Sequence, residues 1–228
     1  MSVNYVFLHG LAGGPENWHQ TADYLKPSGA KCFTPQIEYI KASYESLEEL
    51  AQTIHIPREY NPDDTILVGN SLGATLTMIL QSHGRRIVLV APPLIGESRQ
   101  ISMGGASFSN EIAKLFYDPN KLSPEQIERY RALWKEFISL RVNIKKLRKI
   151  KRMSKEFDYD SKYQELQSKT TLICGRCDQT SPLAYFEEMG RRHPQMTLMV
   201  LEECGHAIPL EKPKELADLL TVIGSQLD

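Results

Sequence analysis

Long apolar runs are missing from this 228-residue chain: none approaches the roughly 18 residues that span a bilayer, which excludes a membrane-spanning helix. The opening MSVNYVFLHGLAGG has no basic segment and too short an apolar stretch for a secretory leader, so a cytoplasmic location is expected. Cysteine is scarce, with Cys32, Cys174, Cys177 and Cys204 giving too low a density for a disulfide-stapled secreted scaffold. Net charge is almost absent as well, and a formal −1 gives no reason to expect a nucleic-acid binder. What remains, 41% apolar and 24% charged residues, is the composition of a globular domain long enough to bury a core without disulfides or metals. Cys174 and Cys177 do form a C-x-x-C that admits a redox or zinc reading, with Cys204 and His206 as further ligands. Cys174 closes an apolar strand-like run, so a small buried thiol is the preferred reading and no metal is expected.

Along the chain, NYVFL (4–8), KCFTP, TILVGN, RIVLVAPP (86–93), TTLICG and TLMVL read as strands, several of them continuously apolar. Helical stretches alternate with them: HQTADYL, SLEELAQTI behind Ser46 as N-cap, the run after Ser71, a helix near 182–191, and KPKELADLLTVIGSQL at the end. Continuous apolar strands alternating with helices predict a mainly parallel α/β sheet of about six strands, covered by helices on both faces. The interval 96–166 breaks this rhythm. Ser123 with Gln126 resembles a capping box, and Ile127, Tyr130, Trp134, Phe137 and Ile138 trace one apolar helical face. The expected organisation is therefore a core of 1–95 and 167–228 interrupted by a helical cap over 96–166.

TILVGNSLGATLTMIL (65–80) sets a single serine, Ser71, between Gly69 and Gly73 where a strand becomes a helix. The serine could be a helix N-cap. It could also be a nucleophile on a strained strand-to-helix turn, the G-x-S-x-G elbow, where the glycines admit the turn and keep bulk away from the hydroxyl. A serine hydroxyl is a poor nucleophile and needs a general base oriented by a carboxylate. Asp178 in GRCDQTSP follows one apolar strand, and His206 in LEECGHAIPLEKP follows the last one, so the chain order is Ser, acid, His. All three candidates fall at strand carboxyl ends. Two backbone N–H donors are needed for an oxyanion hole. Leu72, directly after the serine, and Leu11, in the HGLAGG loop after the first strand, are the candidates. His9 precedes the oxyanion loop and is expected to have a structural or pocket-lining role. An aspartate in a turn can also simply bond its own backbone, which makes Asp178 the least secure of the three.

FLHGLAGGPENW, LVGNSLGA, ICGRCDQTSP and CGHAIPLEKP, in that order, resemble the successive signatures of the α/β-hydrolase superfamily over nearly the whole chain except the cap. The resemblance implies Ser71 as nucleophile, Asp178 as orienting acid, His206 as base and Leu11 and Leu72 as oxyanion donors, with no cofactor. The first strand of this sequence corresponds to the third of the family's sheet, so the resemblance implies a sheet without the two antiparallel strands that open it. Aspartate-nucleophile dehalogenases and epoxide hydrolases are disfavoured, because Ser71 occupies that position. The carboxylesterases are the most similar branch, among them the esterases that cleave a pimeloyl-carrier methyl ester.

Acidic residues are absent from RVNIKKLRKIKRMSK (141–155), which carries eight cations and leaves the rest of the chain at −9. One reading is a solvated helix face with Ile144, Leu147 and Ile150 packing inward. The other is a docking surface, carried by Lys145, Arg148 and Arg152, for an anionic substrate, acyl carrier protein or coenzyme A. The expected function is hydrolysis of a carboxylic ester or thioester of a small molecule through an acyl-enzyme. Two alternatives remain open: a triad-dependent lyase or carbon–carbon bond hydrolase, and a non-catalytic small-molecule binding protein on the same fold.

Overall fold

The computed structural model describes residues 3–11, 13–40, 43–93, 114–121, 123–125, 127–128, 132, 141–166 and 169–226. Six strands build one sheet: β1 (Asn4–Leu8), β2 (Lys31–Phe33), β3 (Thr65–Asn70), β4 (Arg86–Val90), β5 (Lys169–Gly175) and β6 (Thr197–Leu201). Their order is β2-β1-β3-β4-β5-β6, and every neighbouring pair is parallel. The connections leave β1 in one direction along the sheet and β3 in the other. A crevice therefore opens outside the carboxyl ends of these two strands, where ligands of open α/β sheets bind.

Because side chains alternate across a strand, the apolar runs supply two cores at once. Val6, Leu8, Leu67, Ile87, Leu89 and Leu172 point into one core. Tyr5, Phe7, Ile66, Val68, Val88, Val90 and Ile173 point into the other. The second core is closed by Ala22 and Leu25 of α1 (His19–Leu25), with Leu216, Leu220 and Ile223 from α8 (Pro213–Gly224). Trp18 is fully buried there, stacked on Phe7 with ring centroids 4.8 Å apart.

The first core is closed by α2 (Leu47–Gln52), α3 (Leu72–Ile79) and α6 (Leu183–Arg192). Ser46 caps α2 as its sequence position suggests, its hydroxyl accepting from Glu49 N at 3.1 Å. Between β4 and β5 the described residues include two further helices, α4 (Arg141–Glu156) and α5 (Tyr159–Glu165). Both reach the same core through Ile150, Tyr159 and Tyr163. The capping-box partner Gln126 and the expected apolar positions Tyr130, Trp134, Phe137 and Ile138 lie outside the described residues, as do residues 96–113 of the expected cap. A last short helix, α7 (Ile208–Glu211), precedes α8.

Candidate active site

Ser71 sits between β3 and α3 with φ 52° and ψ −123°, a conformation that costs a non-glycine residue of order 1–3 kcal/mol. The flanking glycines are sterically required. A Cβ on Gly69 would lie 2.3 Å from Gly73 O, and one on Gly73 would lie 2.2 Å from Leu8 O. The helix thus starts pressed against both its own strand and the end of β1. Ser71 stands at the N-cap position of α3, yet its side chain makes no capping hydrogen bond. Capping therefore does not account for the serine. The N–H of Leu72, first residue of α3, is one of the donors that helix geometry leaves without an intrahelical acceptor.

Asp178 and His206 meet across the ends of β5 and β6. His206 Nδ1 lies 2.8 Å from Asp178 Oδ2, with both residues buried. A carboxylate oxygen accepts, so Nδ1 is the donor in this bond and Nε2 is the nitrogen turned away from the carboxylate. The other carboxylate oxygen, Oδ1, accepts from Thr180 N at 2.7 Å and Ser181 N at 2.8 Å. One Asp178 oxygen thus bonds its own turn and the other lies against the imidazole. Ser181 adds a bond from its hydroxyl to Pro92 O at 3.1 Å, tying this turn to the end of β4.

Beside Ser71 runs the loop after β1. A Cβ on Gly10 would lie 3.0 Å from Ser71 Cβ, so the backbone of this loop is in direct contact with the elbow. His9 determines how the loop presents itself. Its Nε2 accepts from Ile37 N at 3.0 Å, so Nδ1 must carry the proton, and it donates to Gly10 O at 2.9 Å. Gly13 N donates to the same oxygen at 3.1 Å. A trans peptide is planar, with its C=O and N–H on opposite sides, so fixing Gly10 O also fixes the direction of the Leu11 N–H. Burial holds the His9 imidazole below its usual pKa, consistent with the neutral ring these two bonds require.

The loop is held again by a chain of bonds that ends on α4. Tyr39 OH donates to His9 O at 2.6 Å, Tyr44 OH donates to Tyr39 O at 2.6 Å, and Lys149 Nζ of α4 donates to Tyr44 O at 2.6 Å and reaches Glu45 at 2.6 Å. Lys146 Nζ donates to Ile40 O. Two of the eight cations of 141–155 are thus spent on loop carbonyls and do not belong to a free basic face. Lys145, Arg148, Arg152 and Lys155 form an exposed stripe at helical spacing, while Leu147 and Ile150 are buried behind them and Ile144 is half-buried.

Sequence reading overlooked Asn70, whose side-chain amide donates to Val90 O at 3.2 Å and approaches His206 O at 3.5 Å, and it left the role of His9 open. In the C-x-x-C, the Cys174 Sγ donates to Met199 O at 3.8 Å, and Cys177 N donates to Cys204 O at 2.9 Å. Burial pushes the Cys174 thiol up to about 12 and the Cys204 thiol higher still, which works against the thiolates that zinc or redox chemistry would use. Among the described residues no group of three or more His, Cys, Asp or Glu could hold a metal ion, and no helix is long and apolar enough to cross a membrane.

A parallel sheet whose switch point carries a glycine-framed serine on a positive-φ turn defines an α/β protein with a strand–serine–helix elbow. The chain belongs to the alpha/beta hydrolase family, whose model matches residues 5–219. A pimeloyl-[acyl-carrier protein] methyl ester esterase of Aromatoleum aromaticum is 23% identical to it over 244 residues, covering 94% of this chain and 95% of the relative. Among solved structures, a thermophilic esterase from Thermogutta terrifontis matches with a TM-score of 0.74 and 17% identity, over 100% of this chain and 91% of that one. A meta-cleavage product hydrolase from Pseudomonas fluorescens matches with a TM-score of 0.73 and 19% identity, over 100% and 92%. At these identities the structural matches establish the shared fold.

Proposed function

We propose that this protein is a serine hydrolase of carboxylic esters or thioesters, with Ser71 as nucleophile, His206 as general base and Asp178 as its orienting acid. The observation that carries the reading is the buried His206–Asp178 bond of 2.8 Å, which leaves Nε2 as the base, together with a strained serine whose hydroxyl caps nothing. In the first step His206 Nε2 takes the Ser71 proton as Oγ attacks the acyl carbon. The resulting oxyanion is received by the N–H groups of Leu11 and Leu72. Collapse breaks the bond to the leaving alcohol or thiol, which receives the proton from His206. Water, deprotonated by the same nitrogen, then adds to the acyl-enzyme and releases the carboxylic acid. No step calls for a cofactor. In this reading residues 96–166 are a cap over a core of 1–95 and 167–228.

The substrate class we favour is an ester whose acyl group is carried by an anionic molecule, with acyl carrier protein ahead of coenzyme A. Two observations support it: the 23% identical relative named for a carrier-linked methyl ester, and the exposed stripe of Lys145, Arg148 and Arg152. Mass spectrometry after a fluorophosphonate probe should find the label on Ser71, and a graded series of p-nitrophenyl acyl esters should be hydrolysed. Ser71→Ala should lose the label and at least about 10⁴ in kcat. Near-normal turnover by Ser71→Ala would refute the elbow reading. Labelling without ester turnover would shift the assignment to a lyase or carbon–carbon bond hydrolase, and neither labelling nor turnover to a binding protein.

A further inference from the structure

We infer that Glu211 is a positioning residue for His206: its carboxylate clasps the His206 loop to residues 115–117 of the insertion and so holds the histidine against Asp178. The inference rests on the triad reading above.

Glu211 closes the short helix α7, and its two oxygens serve different segments. Oε1 accepts from Gly205 N at 3.0 Å, immediately before the histidine, and Oε2 accepts from Tyr117 N at 2.7 Å, across the chain. The same stretch of the insertion supplies the reciprocal contact. Leu115 O accepts from both His206 N at 2.9 Å and Ala207 N at 3.0 Å. Three successive N–H groups around the imidazole are therefore satisfied by Glu211 and Leu115. None of the three lies within a helix or strand that could satisfy it, and backbone donors buried without a partner are costly. The two segments also touch closely. A Cβ on Gly205 would lie 2.8 Å from Tyr117 N and 2.9 Å from Leu115 O, so the absent side chain is what lets residues 115–117 lie on this loop.

A carboxylate suits this position because it accepts at two oxygens and donates at neither, whereas a glutamine would present an N–H₂ to one of the two N–H groups. Burial raises the carboxyl's pKa and the nearby Asp178 raises it further, while the N–H groups of Tyr117 and Gly205 oppose the shift. His206 N is held by Leu115 O and His206 O is approached by Asn70 Nδ2 at 3.5 Å, so the peptide groups on both sides of the residue are fixed, and the backbone torsions they set bias which staggered wells its side chain takes. The ring's alignment with Asp178 thereby depends on a residue that touches neither the ring nor a substrate.

The test compares Glu211→Gln, which keeps the shape, with Glu211→Ala, using exposed Glu215→Gln as a control. Four quantities are measured: kcat and KM on a p-nitrophenyl ester, the low-field proton resonance of His206 Nδ1, and the thermal midpoint. Glu211→Gln is expected to lower kcat by roughly 10- to 100-fold, the scale of a small misalignment of reacting groups, with KM held within about twofold. The Nδ1 resonance should broaden or shift, Glu211→Ala should lose more activity than Gln, and Glu215→Gln should behave as the parent. An unchanged kcat and resonance in Glu211→Gln would overturn the inference. So would a loss of kcat that merely follows a fallen thermal midpoint with the resonance intact. Ser71→Ala separates the two levels. If it is inactive while Glu211→Gln keeps full activity, only the clasp is wrong; if it stays active, the triad reading itself fails.

Discussion

The loops after β1 and β6 each carry a buried histidine next to a glycine, His9 before Gly10 and His206 after Gly205, yet the two rings are wired oppositely. His206 bonds a carboxylate through Nδ1, and among the described residues nothing is hydrogen-bonded to its Nε2. His9 gives its Nδ1 proton to Gly10 O and fills Nε2 with the Ile37 N–H, so neither nitrogen is left for proton transfer. A buried imidazole is therefore suited to be a base or a backbone pin according to what occupies its second nitrogen, and burial alone does not distinguish the two.

Disabling His206 should give the largest effect. His206→Ala is expected to lower kcat by about 10⁴ or more with the fold intact. Asp178→Asn should approach that loss, because an amide in place of the carboxylate no longer enforces the Nδ1–H tautomer. Cys177→Ser, changing a half-buried thiol nearby, should leave turnover unchanged. Steady-state kinetics with circular dichroism checks all three, and an Asp178→Asn enzyme at full kcat would remove the acid from the proposal.

A smaller and different loss is expected at His9. If its work is to aim the Leu11 N–H, His9→Ala should cost up to about 10²-fold in kcat, the scale for one oxyanion-hole donor, with little change in KM. Affinity for a boronic acid transition-state analogue should fall in parallel. His9→Asn, whose amide can still donate toward Gly10 O, should recover part of both. A loss in KM alone would return His9 to a pocket-lining role. His9 also predicts an acid sensitivity. Because its folded pKa is lowered, the unfolded chain binds the proton more readily, so stability declines as pH falls below the ordinary value of about 6.5. Thermal midpoints measured from pH 7 downward should decline less steeply in His9→Asn than in the parent.

The two histidines also show what a sequence discloses. Ser71 and its glycines were legible because the elbow is local: its strain and close contacts lie within a few residues of one strand–helix junction. Asp178 and His206 were legible through chain order, since a parallel sheet carries every strand's carboxyl end to one edge. The alternation of strand residues between two cores followed from the apolar runs in the same way. His9 was not legible in this sense. Its partners Ile37 and Tyr39 lie about 30 residues away in a segment without regular structure, where no periodicity marks them. Lys146 and Lys149 were hidden for another reason. In a run of eight cations every charge looks alike, and only the way α4 packs determines that these two meet the carbonyls of Ile40 and Tyr44.

That division within α4 shapes the last and smallest effect, which sharpens the contrast between residues that hold the site and residues that face its surroundings. Lys145, Arg148 and Arg152 lie exposed, beside the half-buried Lys146 and Lys149 whose ammonium groups are held by the carbonyls of Ile40 and Tyr44. Changing these three to Glu should therefore leave kcat and KM for a small neutral ester essentially unaltered. For an acyl-carrier-protein-linked ester the same change should raise KM several-fold, since long-range attraction acts mainly on association and is screened over about 8 Å at physiological ionic strength. Added salt should imitate the substitution for the carrier-linked substrate alone. Lys149→Met, by contrast, withdraws a bond from Tyr44 O and should depress turnover of both substrates alike. If the triple reversal impaired both substrates equally, the stripe would be holding structure; if it impaired neither, it would be an ordinary solvated helix face.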